Sequence, residues 1–361
     1  MSGTLDPVEH ALAAQAASCE TVGSSLYATL LHGLLDDHRR GGLTAELLDG
    51  VSERPVHDAV PLRYLATGHF LALTGGAPGL AALYPSCGGT WRGDGGDATI
   101  TAEFLSTVAE RHDEFVTGLR RNVQTNEVGR APVLASGMAW ITAMHGLPID
   151  QLEIGSSAGL LSRWDHYGYA TGASRCGDPH SPVQFGPSWW QAPLPDLLPD
   201  LASGAVVARR RASDISPIDV TTEHGRAAML SFMWPDQLDR IARLHAAIAV
   251  ARTVPVSVEA EDAGAWLARQ LDDGTATGAV TVVFHSIVWQ YLPADTRDAL
   301  RRALARAGAL AATDRPLCWL RMEPATREHA DLRVTTWPGG EERHLADVGY
   351  HGTDVRWHAG S

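Results

Sequence analysis

The stretch LEIGSSAG, residues 152–159, decides how the rest of the chain is read. A short strand-like run passes into five small residues, Gly155, Ser156, Ser157, Ala158 and Gly159. The pattern predicts a strand entering a tight turn at the start of a helix. Small residues there let backbone approach a ligand, and a helix start offers N–H groups to it. Ser156 and Ser157 can also cap that helix, and Glu153 stands near the strand end. The plain alternative is a tight turn inside a core, because a lone GxxxG spacing is a weak signal.

Working outward, the pattern changes near Gly146. Before it, EHALAAQAASCE, SLYATLLHGLLDDHRR and FLSTVAERHDEFVTGLRR place apolar residues three and four apart, as helices do. A glycine-rich loop, SCGGTWRGDGGDAT (86–99), separates two of them. After Gly146, strand-like segments at 151–156, 204–211, 254–261, 279–286 and 316–323 alternate with helical stretches at 234–252, 263–271 and 294–308. That alternation argues for a parallel sheet with helices on both faces. Residues 331–348 carry two extended runs around Pro-Gly-Gly, an antiparallel hairpin. A parallel sheet finished by such a hairpin is the arrangement of class I methyltransferases. The expected fold is therefore α/β, methyltransferase-like (Rossmann-like), over residues 146–361. A helical N-terminal domain over 1–145 is expected to act as a cap or substrate domain.

Composition narrows the function. The 361 residues hold 29 Lys plus Arg against 42 Asp plus Glu, a net charge of −13, which argues against nucleic-acid binding. The local basic runs RRNV (120–123) and ARRR (208–211) are the exceptions to examine. Cys19, Cys87, Cys176 and Cys318 form no CxxC pair, so neither a disulfide scaffold nor a zinc ribbon is expected. No basic-then-apolar leader and no 18-residue apolar run occurs, so no membrane partner is expected and the chain reads as cytoplasmic. Tryptophans at 189–190, 234 and 289 suit an aromatic-lined pocket as well as a core.

Long motifs carry a family resemblance. QTNEVGR (124–130), LEIGSSAGLLSRWDHYGY (152–169), GDPHSPV (177–183), WPDQLDRIARLHAAIAVA (234–251), VVFHSIVWQYLP (282–293), LRMEP (320–324) and TTWPGGEERHLADVGYHGTDVRW (335–357) together resemble domain-of-unknown-function family 2332. The likeness runs from about residue 10 to 358. It implies a methyltransferase-like fold and no general activity. The turn reads GSSAG where the family commonly has GASAG, and Leu161 stands where an Asn is usual.

Several groups are candidates for chemistry. If the turn holds S-adenosylmethionine, Glu153, Gly155, Ser156, Ser157 and Gly159 approach it, and an acid after the second strand accepts ribose hydroxyls. Asp214 is in the right order, but 55 residues beyond Gly159, so 165–203 has to be an insertion. Asp262, after the third strand, either faces adenine or caps a helix. In QTNEVGR, Asn126 and Glu127 can bind a substrate amine, with Glu127 also a candidate base, Gln124 can contact substrate and Arg130 can hold an anion; a capped loop with Glu127 paired to Arg130 is the alternative. Asp165 and His166 can act in acid–base chemistry, with Asp165 preferred, and Tyr167 or Tyr169 as an aromatic wall. His285 and Ser286 end the fourth strand, His285 as a base, with Trp289 and Gln290 beside substrate. Arg321, Met322 and Glu323 end the fifth. WPDQ adds Trp234 and Asp236. No HExxH, GxSxG or GxxxxGK[ST] occurs, so no metal site, serine nucleophile or triphosphate loop is expected.

Three functions remain. Methyl transfer from S-adenosylmethionine to a small acceptor leads. The second, with no cofactor, is an intramolecular displacement in natural-product metabolism, such as closure of an aziridine with loss of sulfate. The third is a non-catalytic binding partner. A small-molecule substrate is expected, while a protein partner or homo-oligomer stays open.

Overall fold

The computed structural model describes residues 6–93, 97–171, 174–191, 205–272, 274–326 and 328–358. The helices are α1 (Pro7–Val22), α2 (Ser25–Arg39), α3 (Leu43–Leu48), α4 (Val60–Leu73), α5 (Pro78–Leu83), α6 (Asp97–Glu110), α7 (His112–Gly118), α8 (Ala131–His145), α9 (Glu223–Ser231), α10 (Leu238–Thr253), α11 (Ala263–Gln270) and α12 (Ala294–Leu310). The chain divides into two compact units, Met1–Thr125 with Thr222–Ala242, and Asn126–Thr221 with Arg243–Ser361. The boundary expected at 145/146 thus moves to 125/126. Helix α8 packs on the sheet of the second unit, where the space left by Gly137 is filled by Leu320 and Leu332.

In the first unit, α1 starts where Asp6 accepts the N–H groups of Val8 and Glu9, at 2.8 and 3.3 Å, and Pro7 supplies a preset first turn. It ends at Gly23 in the left-handed region, φ 84°. Its buried stripe, Val8, Ala11, Leu12, Ala16 and Cys19, follows the helical period. Tyr27, Tyr64, Phe104 and Phe115 join the same core, each large side chain contributing about 1.5–3 kcal/mol on burial. The single helix read over 104–121 is broken at Arg111, whose φ of −126° leaves the helical region. Residues 94–96 of the glycine-rich loop lie outside the described residues.

The second unit holds β1 (Ile149–Ile154), β2 (Gly168–Thr171), β3 (Ser174–Gly177), β4 (Gln184–Phe185), β5 (Val207–Asp214), β6 (Val258–Ala260), β7 (Val280–Ser286), β8 (Leu317–Pro324), β9 (Ala330–Trp337), β10 (Glu341–Val348) and β11 (Arg356–Trp357). Eight of them form one mixed sheet in the order β11-β10-β9-β8-β7-β1-β5-β6. From β6 to β8 neighbours are parallel, and from β8 to β11 antiparallel. The Pro-Gly-Gly hairpin is β9–β10, as read. Strands β1 and β7 are buried along their whole length, as central parallel strands are.

The polar residues of β1 are therefore buried, and each has a partner. Asp150 takes Arg209 at 2.6 Å and Arg211 at 2.8 Å. Gln151 accepts from the Trp164 indole at 3.0 Å and donates to the Ser162 carbonyl at 2.6 Å. Arg210 pairs with Asp165. The ARRR run is thereby spent on internal carboxylates. The insertion expected over 165–203 contributes a three-stranded sheet, β3-β2-β4; its residues 192–203 lie outside the described residues. No helix among the described residues is long and apolar enough to cross a membrane.

Candidate functional site

The turn after β1 exists, with Gly155, Ser157 and Gly159 at φ 62°, 55° and 65°. The helix expected after it does not. A kinked 3-10 segment, Leu161–His166, follows, with Arg163 at φ −107°. Side chains capture the carbonyls that helix hydrogen bonds would use. Arg163 takes Gly159 at 2.6 Å, Tyr167 takes Leu160 at 2.6 Å, Gln151 takes Ser162, and Tyr169 takes Trp164 at 2.6 Å. Tyr167 and Tyr169 are thus buried struts, not the walls of a cleft.

Four N–H groups at the turn are engaged within the chain. Ser156 donates to the Ser213 carbonyl (3.0 Å), Ser157 to Asp214 (2.8 Å), Gly159 to the Ser156 carbonyl (2.7 Å) and Leu160 to Asn126 (2.8 Å). A Cβ on Gly155 would meet a Val288 methyl at 2.6 Å, and one on Gly159 a Val258 methyl at 3.2 Å. The small residues make room for the protein's own side chains.

The expected cofactor carboxylates are committed as well. Asp214 is buried and holds Ser157 and Ser216 N–H groups, both at 2.8 Å. Asp262 caps α11 through Gly264 and Ala265 and accepts from the Thr296 hydroxyl at 2.7 Å. Asp262→Ala is expected to cost about 1 kcal/mol in urea unfolding, the usual loss of an N-cap. Glu153 accepts from the Ser162 hydroxyl, and burial pushes its carboxyl up to about 8. As arranged, these residues do not fit S-adenosylmethionine: the backbone approach is filled and the acids serve the fold.

A second set of groups gathers at the carboxyl ends of β7 and β8. Glu127 and Arg130 flank a 3-10 turn, Val128–Arg130, and both are buried. Glu127 accepts from Gly129 N–H at 2.9 Å and lies 3.4 Å from the His351 ring. Arg130 donates to the Tyr350 carbonyl (3.1 Å) and to the Ser286 carbonyl (3.2 Å). Asn126 ties this segment to the turn through the Leu160 N–H. Gln124 is buried and falls in the first unit.

His285 has a different role from the base expected of it. Its Nδ1 is 2.6 Å from Glu323 and its Nε2 accepts from the Trp319 indole at 3.1 Å, which places the ring proton on Nδ1. The ring is buried and stacks on Trp289 at 5.7 Å. Both nitrogens are therefore occupied. The same Glu323 oxygen accepts from the Val288 and Trp289 N–H groups at 3.0 and 3.2 Å. This holds Ile287 at φ 54°, a left-handed conformation that a β-branched residue adopts only under constraint. Trp289 also carries the Arg301 guanidinium over its ring at 5.0 Å, and Gln290 is exposed. Asp165 stands apart from this group, paired with Arg210 and 3.7 Å from His166. Arg321 pairs with Glu342. Trp234 and Asp236 belong to the first unit, where Asp236 accepts from the Ser24 hydroxyl at 2.6 Å.

Sequence reading missed Tyr350, His351 and Gly352. Only the tertiary structure brings them to Glu127 and Arg130, some 220 residues earlier. The one local signal is the glycine itself, at φ 85°.

A family model described as "Uncharacterized protein conserved in bacteria (DUF2332)" matches residues 9–357. No curated protein and no solved structure matches the chain.

Proposed function

The chain belongs to the DUF2332 family, and we propose that it is a small-molecule enzyme performing an intramolecular displacement without a cofactor. One observation carries this reading. A buried carboxylate and a buried guanidinium, Glu127 and Arg130, stand three residues apart, with Arg130 bonded to Ser286 at the carboxyl end of β7, the customary ligand end of an open α/β sheet. The substrate carries an ammonium next to a carbon that bears an anionic ester such as sulfate. Glu127 takes the ammonium proton. The freed nitrogen lone pair attacks the neighbouring carbon, the C–O bond breaks, and its electron pair leaves with the sulfate. Arg130 stabilises that departing charge, and its anchors on Tyr350 and Ser286 fix the guanidinium before reaction. The immediate product is a three-membered aziridinium ring, which becomes the aziridine by releasing its remaining excess N–H proton to water.

The experiment is sulfate release from a panel of vicinal amino sulfate esters, with the cyclised product identified by mass spectrometry. Arg130→Lys keeps the charge but loses the planar fork, and turnover is expected to fall roughly 30-fold, about 2 kcal/mol. Methyl transfer is the second reading. The order β6-β5-β1-β7-β8 favours it, being that of a doubly wound nucleotide-binding sheet. Calorimetric titration with S-adenosylmethionine separates the two. No heat is expected, and binding in the micromolar range would replace displacement with methyl transfer.

A further inference from the structure

We propose that the end of the sheet formed by β9, β10 and β11 binds a divalent transition-metal ion, zinc foremost, through His344, Asp347 and His358, with Asp331 beside them. The His344 Nε2 and the His358 Nε2 converge on one oxygen, Asp347 Oδ1, at 3.0 and 3.2 Å. Asp331 Oδ1 is 3.5 Å from the same His344 nitrogen. Ligands bound to zinc at 2.0–2.1 Å in a tetrahedron stand about 3.3 Å from one another. The three separations bracket that edge, and the ligand atoms of His344, Asp347 and His358 all lie within 4.8 Å of one another. Two imidazoles and a carboxylate make a borderline-soft set that suits zinc, cobalt or nickel better than calcium or magnesium, with the fourth position left to Asp331 or water.

The backbone builds this arrangement through an irregularity. Residues three apart on a regular strand point to opposite faces. In β10 the register slips between His344 and Ala346, so that Leu345 is an extra residue. The bulge turns His344 and Asp347 to the same face. Asp347 then pairs across to Asp331 of β9 and to Arg356 of β11. His358 follows β11, and its N–H donates to the Leu345 carbonyl, on the bulge itself, at 2.9 Å. Arg333 grips Asp331 through the other oxygen, Oδ2, at 2.7 and 3.0 Å. That grip orients Oδ1 toward the histidines, as groups behind a metal ligand do. His329 approaches the same Asp331 Oδ1 at 3.7 Å. His344, Asp347, His358 and Asp331 are all partly exposed, which leaves an entry path. The group Asp6, His38 and Asp49 in the first unit is a weaker candidate, because Asp6 already caps α1 with the oxygen it would offer.

Its ligands lie on β10 and just past β11, so the bound ion bridges the two. It clamps β11, a strand of only two residues, to the hairpin. The absence of a contiguous metal motif is no obstacle, because the ligands come from separate segments of the chain.

The test uses the full-length, tag-free protein stripped with chelator. Zinc chloride is titrated by calorimetry and cobalt(II) followed by its visible absorption. The expected result is one ion per chain with a tetrahedral cobalt spectrum, and a rise in unfolding midpoint on adding zinc. His358→Gln and Asp347→Asn are each expected to weaken binding at least about 10-fold. His10→Ala, at an exposed position of the first unit, should leave affinity unchanged. Metal-free unfolding midpoints show that the variants are folded, and zinc protection from C-terminal proteolysis gives a second readout. No zinc heat, or equal affinity in the wild type and the His344→Ala/His358→Ala double variant, overturns the proposal. Displacement activity enters none of these measurements, so the two proposals fail separately.

Discussion

Gly352→Ala is expected to lose 3 kcal/mol or more of folding stability, as an order of magnitude, and with it the placement of Glu127 and Arg130. A Cβ on Gly352 would stand 2.0 Å from the Gly129 carbonyl oxygen and 2.7 Å from the Arg130 Cα. Both neighbours are backbone, so no side chain can rotate away. The residue is also at φ 85°. An L side chain in the left-handed region costs about 1–2 kcal/mol, and forced overpacking about 1–3 more. The contact is reciprocal, since a Cβ on Gly129 would meet the His351 carbonyl oxygen at 2.4 Å. The two glycines let the 127–130 turn and the 349–352 turn touch, and this sets the Glu127–His351 and Arg130–Tyr350 contacts. Gly146→Ala is the control. It has a similar φ of 63° but nothing within 4 Å of its Cβ, so it loses only the backbone term. Urea unfolding of the two variants reads the difference. Equal losses would refute the interlock.

Glu153→Gln is expected to remove a pH dependence of stability and to stabilise the protein at neutral pH by about 3 kcal/mol. Burial beneath the turn pushes the Glu153 carboxyl from 4.5 up to about 8. The Ser162 hydrogen bond and the Arg163 charge oppose that rise, and the Asp214 charge adds to it. The sign follows from proton binding. Between pH 4.5 and about 8 the folded state holds a proton that the unfolded state has released. Stability from this group is complete below pH 4.5 and lost as pH rises toward 8, at about 1.4 kcal/mol per unit. Glutamine keeps the acceptor for Ser162 and does not ionise. Unfolding free energies of both proteins at pH 5, 6 and 7.5 check this. Parallel curves would show that Glu153 is ionised in the folded state.

Much of the architecture is carried by local pattern. The helical period of α1 and α2, the β-branched run at the start of β7 and the Pro-Gly-Gly hairpin all express preferences set within a few residues. Sequence reading therefore located β1, β5 to β8 and the β9–β10 hairpin to within a few residues, but not β2, β3, β4 or β11, and placed the turn at 155–159. It also brought Asn126, Glu127 and Arg130 to notice as a polar cluster. What each polar group does was decided at long range. Leu160 onward does not form a helix, because carbonyls there go to Arg163, Tyr167, Gln151 and Tyr169. His285 is no free base, because Glu323 and Trp319, on a different strand, occupy both ring nitrogens. Gly352 and Gly129 meet only after the sheet is assembled, and the bulge at Leu345 gathers histidines that no spacing rule connects. The amino-acid order alone determined periodicity, turn chemistry and the inventory of charges. Folding decided which of those charges satisfy one another, because a buried polar group takes its partner from whatever the packed strands bring near, at any distance along the chain.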